Sequence, residues 1–422
     1  MRKVLLLLTF CSIAVVSTAQ VAREEIKADP AKSGGVLYAY PGPQSVQTPA
    51  PKGYKPFYIS HFGRHGSRWN ISEEDYEYPF DILKEADEAG KLTPVGMDVL
   101  KKAEFFLEDA RDRYGELTPL GMHQHQEIAR RMFQSFPAVF KGTPMVTANS
   151  TQSPRVMISM FYFCEELKDL NPKIRVDLDS SERDAFFVAH RSEESEAFGR
   201  TPEWKAEMDS ITLVYYRPDR LLGTIFNDLE YVSRNVDVMK FYELIYELAC
   251  MAQNCGHKDV DLFYLFEDGE LFDIWQRNNY RWYFSRGSSP KGGDILIAGG
   301  LPMLYHFIEK ADECIAKGSH GATLRFSHDG YLVPLATSMR LDGCRGVSET
   351  PEGCAEVFVN YKISPMGGNV QWIFFRNRKG DVIVKFLLNE NEVGIPVGTD
   401  IYPYYHWEDV RRYYVDYYGL QK

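Results

Sequence analysis

The run Arg64-His65-Gly66-Ser67-Arg68 combines residue types that suit chemistry on a phosphate group. A phosphoryl group in transfer spreads negative charge over its equatorial oxygens, so the reaction needs fixed cationic donors, an in-line nucleophile and an acid for the leaving oxygen. The guanidinium forks of Arg64 and Arg68 match phosphate oxygens in a bidentate manner. Their positive field lowers the pKa of His65, so we expect the imidazole to stay neutral and nucleophilic even in mild acid.

Two further positions along the chain supply the remaining parts of such a reaction. Arg155 follows Ser153-Pro154 in the first turn of a predicted helix, where free backbone N–H groups and the helix dipole already favour an anion. His328 and Asp329 stand between a predicted strand end and a helix start, the usual position of ligand groups in open α/β sheets. A carboxylic acid there, beside an anionic phosphate, would have a raised pKa and could protonate the departing alkoxide.

Each of these pieces also has an interpretation without chemistry. The run from Arg64 to Arg68 is compatible with a solvated basic turn, Arg155 with a surface helix residue, and Asp329 with a helix N-cap. The functional interpretation gains weight because the pieces occur in order at strand-to-helix junctions. The weaker candidates, which packing, solvation or a flexible connection explains at least as well, are His61, His123, His125 and the loop 286–294.

The elements around these residues indicate an α/β fold. Residues 56–62 form an apolar run that suits a buried strand and stops at Gly63. Two similar helix starts, Thr93-Pro94 and Thr118-Pro119, each place threonine at the N-cap and proline at the first helical position. The other predicted elements are strands over 144–149 and 322–327, helices from Pro154 to about Leu170 and over 301–316, and a hairpin of 370–376 with 382–388.

Residues 185–290 differ in character from the chain on either side. They are rich in aromatic residues and contain helix-like stretches at 238–251 and 262–272 without obvious strands between them. We interpret this range as a mainly α-helical cap domain inserted into an α/β core of residues 20–184 and 291–422. The core is expected to contain a central mixed sheet flanked by helices.

Composition limits the compartment and the partners. Residues 1–19 have the features of a secretory signal peptide, with basic residues before an apolar stretch and small residues at its end, so we expect an exported protein, periplasmic or secreted. A net charge of −11 argues against nucleic acid or an anionic membrane as partner. No later segment is long and apolar enough for a membrane span. The expected partner is a small phosphate monoester, and the expected state is a monomer or a simple homodimer.

The cysteine pattern permits disulfides. Cys11 lies in the predicted signal, and the remaining cysteines are even in number, which fits pairing in an oxidising compartment. Cys344 and Cys354 flank a glycine-rich loop and are the best candidate pair. No paired Cys-x-x-Cys arrangement with nearby histidines is present, so a structural zinc site has little support.

Taken together, these motifs resemble the histidine acid phosphatase branch of the histidine phosphatase superfamily. The resemblance rests on the Arg64 to Arg68 run, the helix start Leu117-Thr118-Pro119-Leu120-Gly121, Arg155 after a Ser/Thr-rich loop, and His328-Asp329. It implies an α/β core with an α-helical cap, a phosphohistidine intermediate on His65, and no metal or other cofactor. It also implies that Asp329 is the proton donor and that the phosphate-binding residues are Arg64, Arg68, Arg155 and His328.

Within this branch, the segment Val384–Glu390 resembles the C-terminal strand of multiple inositol polyphosphate phosphatases, which include exported bacterial phytate-degrading enzymes. That subfamily usually carries His-Ala-Glu where this chain has His328-Asp329-Gly330. Many relatives also place a proline shortly after the second arginine, where this chain continues Trp69-Asn70. The resemblance of the C-terminal strand makes inositol polyphosphates such as phytate the favoured substrate. The alternative is a broad-specificity acid phosphatase acting on sugar phosphates or nucleotides.

Two rivals come from other classes. The first is a non-catalytic phosphate-ester binding protein, which would be expected to carry a damaged nucleophile or acid, and both are intact here. The second is a phosphoglycerate mutase-like transferase, which the predicted export and the late His328-Asp329 pair disfavour.

Overall fold

The computed structural model describes residues 18–183, 185–257 and 259–420. A mixed eight-stranded sheet lies at its centre. The strands are β1 (Lys55–Arg64), β2 (Met145–Ser150), β3 (Arg175–Asp179), β4 (Gly321–Ser327), β5 (Asn369–Arg376), β6 (Val382–Leu388), β7 (Asn391–Glu392) and β8 (Tyr404–His406). Their order is β3-β2-β4-β1-β5-β6-β7, and β8 pairs with β6.

Helices surround this sheet. They are α1 (Thr18–Ala28), α2 (Glu74–Glu88), α3 (Pro94–Ala110), α4 (Pro119–Ser135), α5 (Pro154–Leu170), α6 (Glu193–Phe198), α7 (Pro202–Tyr215), α8 (Asp219–Ile225), α9 (Leu229–Asn235), α10 (Val238–Cys255), α11 (Asp268–Arg286), α12 (Gly293–Ala298), α13 (Leu301–Lys317), α14 (Asp329–Ser338), α15 (Pro351–Val357), α16 (Asn360–Ile363) and α17 (Trp407–Tyr418). Short 3-10 helices cover Pro30–Leu37, Phe186–Ala189 and Phe263–Leu265. The predicted fold class, a mixed sheet flanked by helices, is confirmed.

Strand β1 occupies the middle of the sheet, which explains its continuous apolar run. It pairs in parallel with β4 on one side and antiparallel with β5 on the other, and its last eight residues are buried. In this register Arg64 lies opposite Ser327, so β1 and β4 end side by side. The residues that follow the two strands, His65 and His328, therefore meet at one edge of the sheet.

The predicted helix starts are confirmed. The side chain of Thr93 accepts a hydrogen bond from the backbone N–H of Gly96, and Thr118 does the same for Gly121. Helix α5 covers Pro154–Leu170 as predicted, and β5 and β6 form the predicted antiparallel hairpin.

Residues 185–290 contain α6 to α11 and two of the short 3-10 helices, and no strand among those the structure describes. The predicted helix-like stretch 262–272 is interrupted. Phe266 is extended, and α11 begins only at Asp268, because Glu267 and Glu270 form a reciprocal capping box there. The largest hydrophobic cluster includes residues from both sides of the predicted boundaries, such as Trp275 of α11 and Trp372 of β5.

The predicted disulfide between Cys344 and Cys354 is wrong. Both cysteines are buried free thiols, as are Cys164, Cys250 and Cys314, and Cys255 is a half-buried free thiol. Cys354 lies on α15, which packs against α11, and its sulfur faces the side-chain amide of Asn279 at 3.5 Å. The two cysteines thus stay unpaired although they lie in the same hydrophobic cluster and only a short loop separates them in sequence.

The predicted signal peptide falls almost entirely outside the described residues. Its last positions, Thr18 and Ala19, open helix α1. Over the described ranges no helix combines the length and apolarity that a membrane crossing requires.

Candidate active site

The loop formed by residues 64–68, here called the arginine loop, is fixed by a short antiparallel contact with residues 115–118. Ser67 accepts a hydrogen bond through its carbonyl from the N–H of Thr118 (2.9 Å), and the N–H of Trp69 donates to the carbonyl of Glu116 (3.1 Å). Glycine is required at position 66, because a Cβ there would lie 2.4 Å from the carbonyl oxygen of Gly121. The loop is thereby pressed against the N-terminus of α4.

His65 is held as a neutral imidazole with one nitrogen free for attack. Its ring is only 2% exposed, and Nδ1 lies 2.9 Å from the carbonyl oxygen of Gly66. A carbonyl can only accept, so Nδ1 carries the proton and Nε2 keeps its lone pair. Burial, followed by the charges of Arg64 and Arg68, holds the pKa of His65 well below its usual value. The predicted direction of this shift is confirmed, and burial adds to the arginine field.

Arg64 is fully buried and its donors are divided between the protein and the pocket. Nη1 donates to the backbone carbonyls of Val36 and Ser364, the latter at 2.8 Å. Nη2 lies 2.6 Å from Oδ2 of Asp329. Nη1 therefore holds the guanidinium to the protein backbone, and Nη2 faces the candidate acid Asp329.

Three arginines present buried donors that lack partners. The Nε groups of Arg64, Arg68 and Arg155 are inaccessible to solvent and make no hydrogen bond within the described part of the chain. An unpaired buried donor costs about 1–3 kcal/mol, so native proteins rarely keep several of them in one place without a functional reason. The charges of Arg64, Arg68 and Arg155 also act on one another across a short range, and this concentration of positive charge is a strong indication of anion binding.

His328 joins this cluster from the end of β4. Its Nδ1 lies 3.5 Å from Nη2 of Arg155, its Nε2 lies 3.3 Å from the hydroxyl of Thr151, and its ring centroid is 5.4 Å from that of His65. Burial, with the positive charge of Arg155, lowers the pKa of His328 to about 4. The ring is thus neutral near pH 7, and Thr151, which no sequence signal identified, is in position to orient it.

Asp329 begins helix α14 beside this histidine. Burial raises the pKa of its carboxyl, but Arg64, Arg68 and His328 outweigh burial and hold the pKa below its usual value. In the ligand-free protein the group is therefore a carboxylate paired with Arg64. The raised pKa expected from the sequence refers to a phosphate complex, and it stays a prediction.

Two arginines of the site were missed. A Cβ placed on Gly330 would lie 2.4 Å from Nη2 of Arg191 and 3.8 Å from Nε of Arg286, so both guanidinium groups lie next to the start of α14. Arg191 also covers the ring of Tyr331 at 4.5 Å. Burial, followed by repulsion from Arg191, lowers the pKa of Arg286 to about 10, although Asp329 opposes this shift. The sequence offered only the weak loop 286–294 for one of them and no motif for the other.

The weaker histidine candidates do not join the site. His61 and His125 are 1% exposed and pack among Phe163 and Phe326. This agrees with the packing interpretation of His61, whereas His125 is buried and not solvated, and His123 is exposed on α4. Nowhere in the described ranges do three or more His, Cys, Asp or Glu side chains converge as a metal site would require.

The mixed sheet and its flanking helices give this chain a fold that is similar to the folds of a solved inositol polyphosphate phosphatase and a solved phytase. Solved structures agree. The apo form of the Bifidobacterium longum multiple inositol polyphosphate phosphatase superposes with a TM-score of 0.72 at 18% identity, covering 88% of this chain and 96% of that one. Its complex with inositol hexasulfate gives 0.71 with the same identity and coverage. The phytase from D. castellii gives 0.68 at 13% identity, covering 92% and 85%.

No protein-family model and no curated protein matches the sequence. The likeness to the solved structures therefore concerns the fold, and it confirms the resemblance predicted from the motifs at that level.

Proposed function

We propose that this chain is an exported phosphomonoesterase that hydrolyses phosphate monoesters through a phosphohistidine intermediate, with inositol polyphosphates such as phytate as substrates. One observation carries the proposal. The neutral ring of His65 lies in the field of Arg64 and Arg68, and Arg155 lies close enough to both arginines to add to that field. Such a cluster is suited to a phosphate whose charge grows at the equatorial oxygens during transfer.

In the first step, Nε2 of His65 attacks phosphorus as the ester P–O bond breaks. The arginine loop, Arg155 and His328 bind the phosphoryl oxygens, and the departing alkoxide takes a proton from Asp329. Asp329 must therefore be protonated in the complex. Because it is paired with Arg64 in the free protein, an incoming phosphate that competes for Arg64 would raise the pKa of the carboxyl.

In the second step, water attacks phosphorus and the P–N bond of the phosphohistidine breaks. The Asp329 carboxylate accepts the proton of the water, inorganic phosphate forms, and His65 returns to its neutral state. Each turnover thus consumes one ester and one water, and leaves the aspartic acid ready to donate again.

Arg191 and Arg286 support the choice of a polyphosphorylated substrate. They add two cations next to Asp329, beyond those assigned to the reacting phosphate. An ester with a single phosphate brings no second anion to contact Arg191 and Arg286, whereas a small ring with several phosphates would place a second anion beside them. One solved structure of similar fold is described as a complex with inositol hexasulfate, which agrees with a site for such an anion.

Release of inorganic phosphate from phytate, sugar phosphates, nucleotides and para-nitrophenyl phosphate, measured side by side with EDTA present, tests the proposal. We expect the highest kcat/KM with phytate and no loss in EDTA. Equal rates on all esters would support the broad-specificity alternative instead. No turnover of any ester would leave only a phosphate-ester binding protein.

The nucleophile is tested by His65→Ala, with His123→Ala as the matched control, because His123 is an exposed histidine of α4. We expect background activity in the first variant and full activity in the second, with similar thermal unfolding. Quenching in alkaline denaturant during turnover, in which the P–N bond is stable, should trap phosphate on a histidine in the wild type and in the control, and not in His65→Ala. A His65→Ala variant that still turns over would exclude the covalent route.

Export remains a proposal that the predicted signal peptide at residues 1–19 supports. Expression of the full chain with cell fractionation should recover a shortened protein outside the cytoplasm. A full-length cytoplasmic product would contradict it.

A further inference from the structure

Trp69 follows the arginine loop directly and fixes the guanidinium of Arg68. Nη1 of Arg68 donates to the carbonyl oxygen of Trp69 at 2.8 Å. The backbone N–H of Trp69 is itself anchored on Glu116, so the accepting carbonyl cannot shift freely. The direction of Arg68 therefore depends on how firmly residue 69 is held.

The indole of Trp69 is held in turn by a carboxylate from another element. It is 5% exposed, and its Nε1 donates to Oδ2 of Asp109 on α3 at 2.9 Å. The other oxygen of that carboxylate lies 3.3 Å from Nε2 of His257, just after α10. The guanidinium of Arg113 lies over the indole at 5.2 Å. The Asp109 carboxylate thus links Trp69 to His257, which lies far from it in the sequence.

We propose that Trp69 and Asp109 are positioning residues that hold the Arg68 guanidinium on the phosphate. The series Arg68, Trp69, Asp109 is continuous through hydrogen bonds of 2.8 and 2.9 Å. This inference rests on the proposed function for its catalytic consequence, but not for the binding of phosphate itself.

The chain contains a matched control for this contact. Trp407 is also 5% exposed, and its Nε1 donates to Oδ1 of Asp312 at 3.0 Å. Asp312 has a second basic partner, Arg411, as Asp109 has His257. This second tryptophan–aspartate pair joins α17 to α13 and takes no part in the arginine loop.

The experiment measures the calorimetric Kd of inorganic phosphate and the kcat and KM for para-nitrophenyl phosphate. Trp69→Phe keeps an aromatic ring and removes the N–H donor, and Asp109→Ala removes the acceptor. Loss of one positioning hydrogen bond should weaken phosphate binding about three- to tenfold in either variant. The double variant should be no weaker than either single one. Trp407→Phe and Asp312→Ala should keep the wild-type Kd.

The effect must pass through Arg68. In an Arg68→Ala background, Trp69→Phe should no longer change the Kd. A wild-type Kd in Trp69→Phe, equal weakening in the Trp407 control, or an undiminished effect in the Arg68→Ala background would each overturn the inference. A wild type that binds phosphate but hydrolyses no ester would refute the proposed function while leaving this binding test intact. A wild type that does not bind phosphate would refute both.

Discussion

Replacement of Asp329 by asparagine should destabilise the free protein and yet tighten its binding of phosphate. Arg64 is fully buried, and Asp329 is the one carboxylate within ion-pair distance of it among the described residues, at 2.6 Å. The asparagine side chain would keep the shape of the aspartate and lose its charge. The buried arginine would then lack its counter-ion, and the incoming phosphate would meet no competing carboxylate.

Both magnitudes follow from this geometry. Removing one partner of a buried ion pair costs about 3–5 kcal/mol, but the Asp329 side chain is 22% exposed and an amide can still accept from Arg64, so we expect a loss of about 2 kcal/mol. For a chain of this size that lowers Tm by about 2 °C. Two unit negative charges about 5 Å apart repel by about 3 kcal/mol at an effective dielectric constant near 20. Screening and proton uptake remove about half of this repulsion in the wild type. Asp329→Asn should therefore bind phosphate about tenfold more tightly than the wild type.

The dependence on pH has a definite sign. The pKa of Asp329 is below its usual value in the free protein, so the stability contributed by its ion pair is present above the unfolded-state pKa and is lost as pH falls through the folded value. A bound phosphate would raise this pKa, so binding to the wild type takes up a proton and strengthens as pH falls. The differences in stability and in phosphate affinity between wild type and Asp329→Asn should therefore be large near pH 7 and small in strong acid.

Thermal unfolding and phosphate calorimetry at neutral and acidic pH measure these effects. Asp312→Asn is the matched control, because Asp312 also lies 2.6 Å from an arginine, Arg411, but away from the arginine loop. It should lose some stability and keep the wild-type phosphate affinity. Unchanged or weaker phosphate binding by Asp329→Asn at pH 7 would refute the idea that carboxylate and phosphate compete for Arg64.

Three further predictions concern other parts of the site. Arg155→Ala should lower kcat/KM for para-nitrophenyl phosphate by about a hundredfold, since it deletes one preorganised donor, and a loss below tenfold would remove Arg155 from the reacting phosphate. Arg191→Ala and Arg286→Ala should reduce kcat/KM for phytate at least about fivefold more than for para-nitrophenyl phosphate, because only phytate brings further anions, and equal losses on both would contradict a second anion site. Gly66→Ala should lower Tm and phosphate affinity, since its Cβ would meet backbone at 2.4 Å, whereas Gly223→Ala in α8 meets no atom within 4 Å and should lower neither.

The sequence was informative wherever a function depends on local order. The arginine loop, Arg155 and His328-Asp329 were all predicted because each follows a strand or opens a helix, and these junctions have recognisable residue patterns. The sheet then places them together, since the parallel neighbours β1 and β4 end in register. Their roles in catalysis stay predictions.

The sequence was uninformative where a contact depends on how separate segments pack. Arg191 lies in an irregular stretch without a motif, and only its position beside Gly330 makes it part of the site. The carboxylate of Asp109 had no signal either, because nothing in an amphipathic helix shows which residue will meet Trp69. The disulfide prediction failed for the same reason. Closeness in sequence across a loop does not fix the separation and direction of two cysteine side chains, even when both lie in one hydrophobic cluster.

The backbone contacts of the Arg64 guanidinium have a consequence for folding during biosynthesis. Its Nη1 contacts the carbonyls of Val36, from the beginning of the chain, and Ser364, from near its end. Strand β1 likewise has both of its sheet neighbours, β4 and β5, in the last third of the sequence. A nascent chain that has emerged only as far as α11 can therefore hold neither Arg64 nor His65 in place. The proposed phosphate site would form only once the final segment of the polypeptide has been made and has docked.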